Sequence, residues 1–282
     1  MRLRRTVLFF PASAPDRYAK AVASGADTVC IDLEDAVAPD DKDEARKTAV
    51  RLIEAGGGGN TEVILRINSP KSKAGLTDLL VVCELKTPPH AIMLPKVVSP
   101  EDVRWVDELL APGLPDIRLV AMIETGEALE AVHEIARASP LVVALLLGGV
   151  DLSTALRSTM DWEPMLYARS RVVHAAATAG IDAIDMPYRD VTDLKGLETV
   201  ARAAARMGFT GKTAVHPTQV PVIEQAFSPG PEETERAKKI IAAYEANRGG
   251  VLLVDGKLIE RPVILAAQRT LAIAAQAGTR RP

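Results

Sequence analysis

A chain of 282 residues, 48% hydrophobic and 25% charged, is long enough to bury a large core, either as one α/β barrel or as two smaller domains. Its net charge of −3 gives no general attraction to a polyanion, which argues against nucleic acid as a partner, and its opening apolar run is too short for a signal peptide or a membrane span. Cys30 and Cys83, the only cysteines, each sit inside an apolar run, which suits core residues in a reducing cytoplasm better than a disulfide or a metal pair.

Val7 to Phe10 is apolar and ends at Pro11, giving a first strand, and Pro15 to Ser24 has helical spacing closed by Gly25. A second strand, Thr28 to Leu33, runs directly into Glu34-Asp35. A charged helix opened by Asp40 follows through Glu54, with Lys42 and Arg46 four residues apart on one face. The run Gly56 to Gly59 is a flexible turn without the lysine and hydroxyl of a P-loop. Glu62 to Ile67 is a third strand whose terminal charge is Arg66, followed by Asn68. Leu76 to Cys83 is a short amphipathic segment, and Ala91 to Leu94 a fourth strand ending in Pro95-Lys96. Ser99, with Asp102 three residues on, opens the next helix.

The fifth and sixth strands carry the densest signal. The first ends in Ile123-Glu124-Thr125-Gly126 and the second in Gly148-Gly149-Val150-Asp151. Ser170 to Ala179 is an alanine-rich helix closed by Gly180, and Ala183 to Met186 is a seventh strand. Leu194 to Met207 is a helix closed by Gly208. Gly211 to Val215 is an eighth strand, reaching His216-Pro217-Thr218-Gln219.

Eight short apolar strands alternating with amphipathic helices predict a (β/α)₈ TIM barrel. The competing doubly wound sheet would carry a glycine fingerprint after the first strand, where this chain reads Pro11-Ala-Ser-Ala-Pro15. The barrel domain is expected over residues 1–228. Residues 229–282 form a C-terminal helix and lid extension: a charged helix from Pro231 to Asn247, a Gly249-Gly250 hinge, a hairpin-like piece from Val251 to Ile259, and a final helix from Pro262. A hinge followed by a compact appendage suggests a lid over the chain's own site or a neighbour's, with a plain packing arm as the alternative.

The residues at or just past the strand ends are Pro11, Asp32 with Glu34 and Asp35, Arg66 with Asn68, Lys96, Glu124, Asp151, Asp185 and His216. Barrel enzymes place their sites at that rim. Glu124 and Asp151, from neighbouring parallel strands, point at one spot suited to a hard divalent cation such as Mg²⁺ or Mn²⁺, whose remaining positions water and substrate fill. Capping of the following helices is the alternative for each. Glu34 and Asp35 would hold metal-bound waters, or else cap a helix or pair with Lys42 or Arg46. Arg66 must find an anion or several acceptors: a substrate carboxylate or developing enolate, or Asp32 or Glu34. His216 has no carboxylate in its own segment, which favours binding or packing over catalysis. Ser153, Thr154 and Thr159 are capping and loop residues.

These segments, taken in order, resemble the citrate lyase β-subunit-like (HpcH/HpaI aldolase/citrate lyase) family of acyl-CoA lyases. The resemblance rests on Leu8-Phe9-Phe10-Pro11, Asp32-Leu33-Glu34-Asp35-Ala36-Val37, Lys42 with Ala45-Arg46, Arg66-Ile67-Asn68, Leu94-Pro95-Lys96, Ile123-Glu124-Thr125, Gly148 through Ser153, and Gly208 to Lys212 leading to His216-Pro217-Thr218-Gln219. It implies a trimer-forming barrel, or a dimer of trimers, with magnesium held by Glu124 and Asp151 and with Arg66 stabilising a thioester enolate. It implies cleavage or formation of a 3-hydroxyacyl-CoA such as malyl-CoA, citramalyl-CoA or citryl-CoA, with acetyl-CoA and a 2-keto acid as the other side of the reaction. A metal-dependent aldolase acting on free hydroxy-keto acids and a non-autonomous subunit of a citrate lyase-type complex are the alternatives. Val254-Asp255-Gly256-Lys257-Leu258-Ile259-Glu260-Arg261-Pro262 is similar to the family's C-terminal lid motif, in which an aspartate usually reaches the adjacent subunit's site; here that position is Glu260.

Overall fold

The computed structural model describes residues 2–56, 58–247 and 251–279. Eight parallel strands, β1 (Thr6–Pro11), β2 (Thr28–Asp32), β3 (Glu62–Arg66), β4 (Ala91–Leu94), β5 (Arg118–Ile123), β6 (Val142–Leu147), β7 (Asp182–Asp185) and β8 (Gly211–Ala214), pair in sequence order, and β8 closes on β1. This is the expected (β/α)₈ barrel. The helices are α1 (Arg17–Ala23), α2 (Lys42–Ala55), α3 (Lys73–Cys83), α4 (Pro100–Leu110), α5 (Gly126–Glu130), α6 (Val132–Ile135), α7 (Gly149–Ala155), α8 (Leu166–Ala179), α9 (Leu194–Met207) and α10 (Val220–Ala226).

Alternation along each strand decides which side chains fill the barrel. Val7, Cys30, Ile64, Met93, Met122, Leu146 and Ile184 belong to one buried cluster, so the residue two positions on from each shares that inward side. At the N-terminal end the inward positions are charged. Arg4 Nε and Nη2 donate to the two Glu62 carboxylate oxygens at 2.7 and 2.8 Å, Arg4 Nη1 donates to Asp182 at 2.8 Å, and the Thr28 hydroxyl donates to Glu62 at 2.9 Å. This paired cluster is the floor of the barrel.

Several boundaries follow local chemistry. Ser99 and Asp102 form the expected capping box of α4, and α8 and α9 end on left-handed Gly180 and Gly208. Asp40 falls instead in a 3₁₀ turn over Pro39–Asp41, ahead of α2. Helix α8 starts at Leu166, four residues before Ser170, because its N-cap is Met165, a residue with no capping side chain to announce the start.

The described chain divides into two compact units, Arg4–Glu224 and a second built mainly from Gln225 onward. The second contains α11 (Pro231–Ala246), a two-stranded hairpin β9 (Leu253–Val254) and β10 (Lys257–Leu258), and α12 (Arg261–Thr279). Ala237, Ile240, Ile259, Ile264 and Ala267 form its core. The expected hinge at Gly249-Gly250 lies outside the described residues. Among the described residues no helix is long and apolar enough to cross a membrane.

Candidate active site

Glu124 follows Met122 by two residues, and Arg66 and Asp32 stand in the same relation to Ile64 and Cys30, so all three turn toward the barrel mouth. Register places Asp32 directly beside Arg66 on β2 and β3. The guanidinium grips that carboxylate at two points, Nε to Oδ1 at 2.7 Å and Nη2 to Oδ2 at 2.6 Å, while Nη1 lies 2.9 Å from Glu34 Oε2. Its carbon sits 5.2 Å from the centre of the Phe9 ring. Burial works against the charge, but Asp32 and Glu34 outweigh it and hold the Arg66 pKa above its ordinary value. Of the partners expected for Arg66, Asp32 and Glu34 are therefore present, and they fix the orientation of the fork.

Glu34 is 4% exposed. Lys96 Nζ lies 2.7 Å from its Oε1, yet among the described residues neither Glu34 oxygen receives a donor with hydrogen-bond alignment. Burial lifts the Glu34 carboxyl above the usual range against the pull of Arg66 and Lys96. The alternative pairing of Glu34 and Asp35 with Lys42 or Arg46 is not made among the described residues. Lys42 Nζ donates to the backbone carbonyls of Leu33 and Glu34, and Arg46 pairs with Asp43 and Asp78. Asp35 instead lies 3.2 Å from Lys96 Nζ.

Lys96 also occupies left-handed backbone space, at φ 53°, a conformation that costs a residue with a Cβ about 1 kcal/mol. It turns the Lys96 amide onto Glu124 Oε1 at 2.6 Å. Glu124 is only 2% exposed. Burial first, then Glu34 and Asp151, push its carboxyl up to about 7 against that amide bond and Arg66. Asp151 sits in the first turn of α7, partly exposed, and its carboxylate makes no side-chain hydrogen bond or ion pair among the described residues. A buried carboxylate from the end of β5 and a second, after β6, that has no side-chain partner among the described residues form a donor set that a hard cation would complete. Among the described residues no group of three His, Cys, Asp or Glu side chains forms a closed metal cage. Two acids with open positions for water and substrate fit magnesium, which keeps much of its water.

Gly148 makes this arrangement possible. A Cβ there would run into the Glu124 side chain at its Cβ and Oε2. Gly148→Ala should therefore displace Glu124 and weaken magnesium binding by ~10–100-fold, with the fold retained. Isothermal titration checks this, and a wild-type affinity would remove Gly148 from the support of the site.

Two strand-end residues, and Glu260 of the C-terminal motif, are placed elsewhere or do other work. Asp185 follows inward-facing Ile184 by one position, so it turns away from the mouth and meets Arg169 Nε at 3.0 Å and Lys212 Nζ at 2.6 Å. Arg169 in turn stacks 4.4 Å from the Trp162 ring, which ties the loop after α7 to β7. Sequence reading missed this cluster. His216 caps the turn after β8, its Nδ1 2.8 Å from the Thr218 hydroxyl. Glu260 lies in the second unit, exposed, immediately before α12.

The model of a family described as HpcH/HpaI aldolase/citrate lyase matches residues 5–217. The chain is 33% identical over 290 aligned positions to the mitochondrial citramalyl-CoA lyase of Homo sapiens, covering 96% of this chain and 85% of that protein. It is 36% identical over 273 positions to the (3S)-malyl-CoA thioesterase of Cereibacter sphaeroides strain KD131, covering 95% and 93%. Its fold matches the crystal structure of CitE from Mycobacterium tuberculosis in complex with magnesium, acetoacetate and coenzyme A, with a TM-score of 0.81, 30% identity, and coverage of 98% of this chain and 100% of that one.

Proposed function

The chain belongs to the HpcH/HpaI aldolase/citrate lyase family, and from that premise we propose that it is a magnesium-dependent carbon–carbon lyase acting on a 3-hydroxyacyl-CoA. Malyl-CoA, citramalyl-CoA and citryl-CoA are the candidate substrates, giving acetyl-CoA and a 2-keto acid. The observation that carries this reading is the buried Glu124 at the barrel mouth, its Oε1 held by the Lys96 amide at 2.6 Å, together with the Arg66 guanidinium fixed at the same rim by Asp32.

In this reading Glu124 and Asp151 hold the ion, and Glu34 and Asp35 orient water around it. The chemistry a bound magnesium ion supplies is Lewis-acid polarisation of the carbonyl and a template for the acid's oxygens. Arg66, fixed by Asp32, presents its remaining donors where the breaking carbon–carbon bond leaves negative charge on the thioester enolate. Such an interaction strengthens as charge develops, so it acts on turnover more than on binding. Lys96 holds Glu124 through its amide and Glu34 through its ammonium. His216 stands as a substrate-binding or packing residue. The protein is proposed to work as a homotrimer or dimer of trimers in a reducing cytoplasm, with Glu260 supplied to an adjacent copy's site.

Incubation of the purified protein with magnesium and each of the three thioesters tests this. Acetyl-CoA appearing with glyoxylate, pyruvate or oxaloacetate supports the lyase. Free CoA with an intact hydroxy acid would make the protein a thioesterase, like its Cereibacter relative by name. Turnover only of unesterified acids, or only with added partner subunits, would replace the proposal by an aldolase or a complex-bound subunit.

Glutamate at position 260 keeps the carboxylate of the usual aspartate but moves it by about one methylene. Glu260→Ala is expected to lower turnover by ~10²-fold, with magnesium affinity and melting temperature unchanged. A wild-type rate would make the C-terminal unit a packing arm.

A further inference from the structure

Two of the chain's four histidines, His133 and His174, meet on outer helices. His174 Nδ1 lies 3.2 Å from His133 Nε2, with the rings edge to face at 81° and their centres 4.8 Å apart. Each ring is carried by a helix anchored on both sides of it. Val132 and Ile135 flank His133 on α6, Val172 and Ala175 flank His174 on α8, and all four are essentially fully buried. Arg171 Nη2 further ties α8 to the end of α5 by donating to the Leu129 carbonyl at 3.0 Å and the Glu130 carbonyl at 2.7 Å. The two nitrogens are thus held near one another by packing rather than by the weak bond between two water-accessible imidazoles.

With Zn–N bonds of ~2.1 Å, a nitrogen separation of 3.2 Å corresponds to an N–Zn–N angle of roughly 100°, between the octahedral and tetrahedral values. Imidazole nitrogens select zinc, copper and nickel over magnesium, so the pair differs in kind from the carboxylates at the barrel mouth. We propose that His133 and His174 form a two-histidine site for a first-row transition-metal cation, with water completing its coordination. Among the described residues no third His, Cys, Asp or Glu side chain joins the pair, and Arg171 and Arg137 oppose a cation there while Glu134 favours it. The site should therefore bind more weakly than a structural zinc site with its full set of protein ligands. Because α8 packs on β6 and β7, the ion would staple α6 to the helix backing those strands.

The test uses the untagged full chain held in saturating magnesium and titrated with zinc chloride by calorimetry. The wild type should bind one zinc ion more than His133→Ala or His174→Ala, or bind it ~10-fold or more tightly, while circular dichroism and magnesium-dependent turnover stay the same in all three proteins. Copper(II) added to the wild type should give an electron paramagnetic resonance spectrum with couplings from two imidazole nitrogens that is lost in both variants. Equal zinc binding by the wild type and both variants, or a copper spectrum the substitutions leave unchanged, would overturn the proposal.

Discussion

Asp151→Ala is expected to lower magnesium-dependent thioester cleavage by roughly 10³-fold or more, since a metal at such a site contributes several kcal/mol of transition-state stabilisation. The fold should not notice. Asp151 is partly exposed and its carboxylate has no hydrogen-bond or ion-pair partner to lose among the described residues, so the melting temperature without magnesium should stay within about 2 °C of wild type, as for most surface substitutions. That separation is the point of the experiment. A side chain that only capped α7 would move stability and leave turnover nearly intact, whereas a metal ligand does the reverse. Steady-state rates across a magnesium titration, with thermal melts of the metal-free protein, distinguish the two, and full turnover would take Asp151 out of the metal shell.

Arg66 should behave differently, because it serves the fold and the reaction together. Arg66→Ala leaves Asp32, 1% exposed, without its two-point partner, and breaking a buried pair in this way costs ~3–5 kcal/mol. Loss of activity in that variant would therefore say little. Arg66→Lys is the informative change. Lysine restores a positive charge but cannot reproduce the planar fork that holds Asp32 by Nε and Nη2 and touches Glu34 by Nη1. Its kcat is expected to fall by ~10²–10³-fold with KM changed by less than about threefold, the signature of an interaction made chiefly in the transition state. A KM effect at constant kcat would assign Arg66 to substrate binding, and wild-type kinetics would confine it to structural pairing with Asp32.

Much of this was legible in the chain because the barrel punctuates itself. An apolar strand that ends in a charge, as at Ile31-Asp32, Leu65-Arg66 and Ile123-Glu124, declares its own C-terminal rim, and eight strands in order, most of them with a charged residue at or shortly past the end, leave few other folds. Direction was harder to read than position. Asp185 ends its strand as Arg66 does, but it is one step rather than two from an inward residue, so it faces Arg169 and Lys212 instead of the mouth. Lysine gives no sign that it will take a left-handed conformation, so the amide of Lys96 on Glu124 could not be foreseen. A glycine's purpose is equally silent when it lies in another residue's footprint, as Gly148 does for Glu124. Contacts between helices far apart in sequence, such as His133 with His174, carry no local pattern at all.

The charged knot of Arg4, Glu62, Asp182 and Thr28 has a consequence for traffic. With apolar side chains filling the interior above it and paired charges below, the described residues plug the barrel from its floor up to the site. In the proposed reaction both fragments would then leave by the mouth through which the thioester entered, and the one seated deeper would depart second.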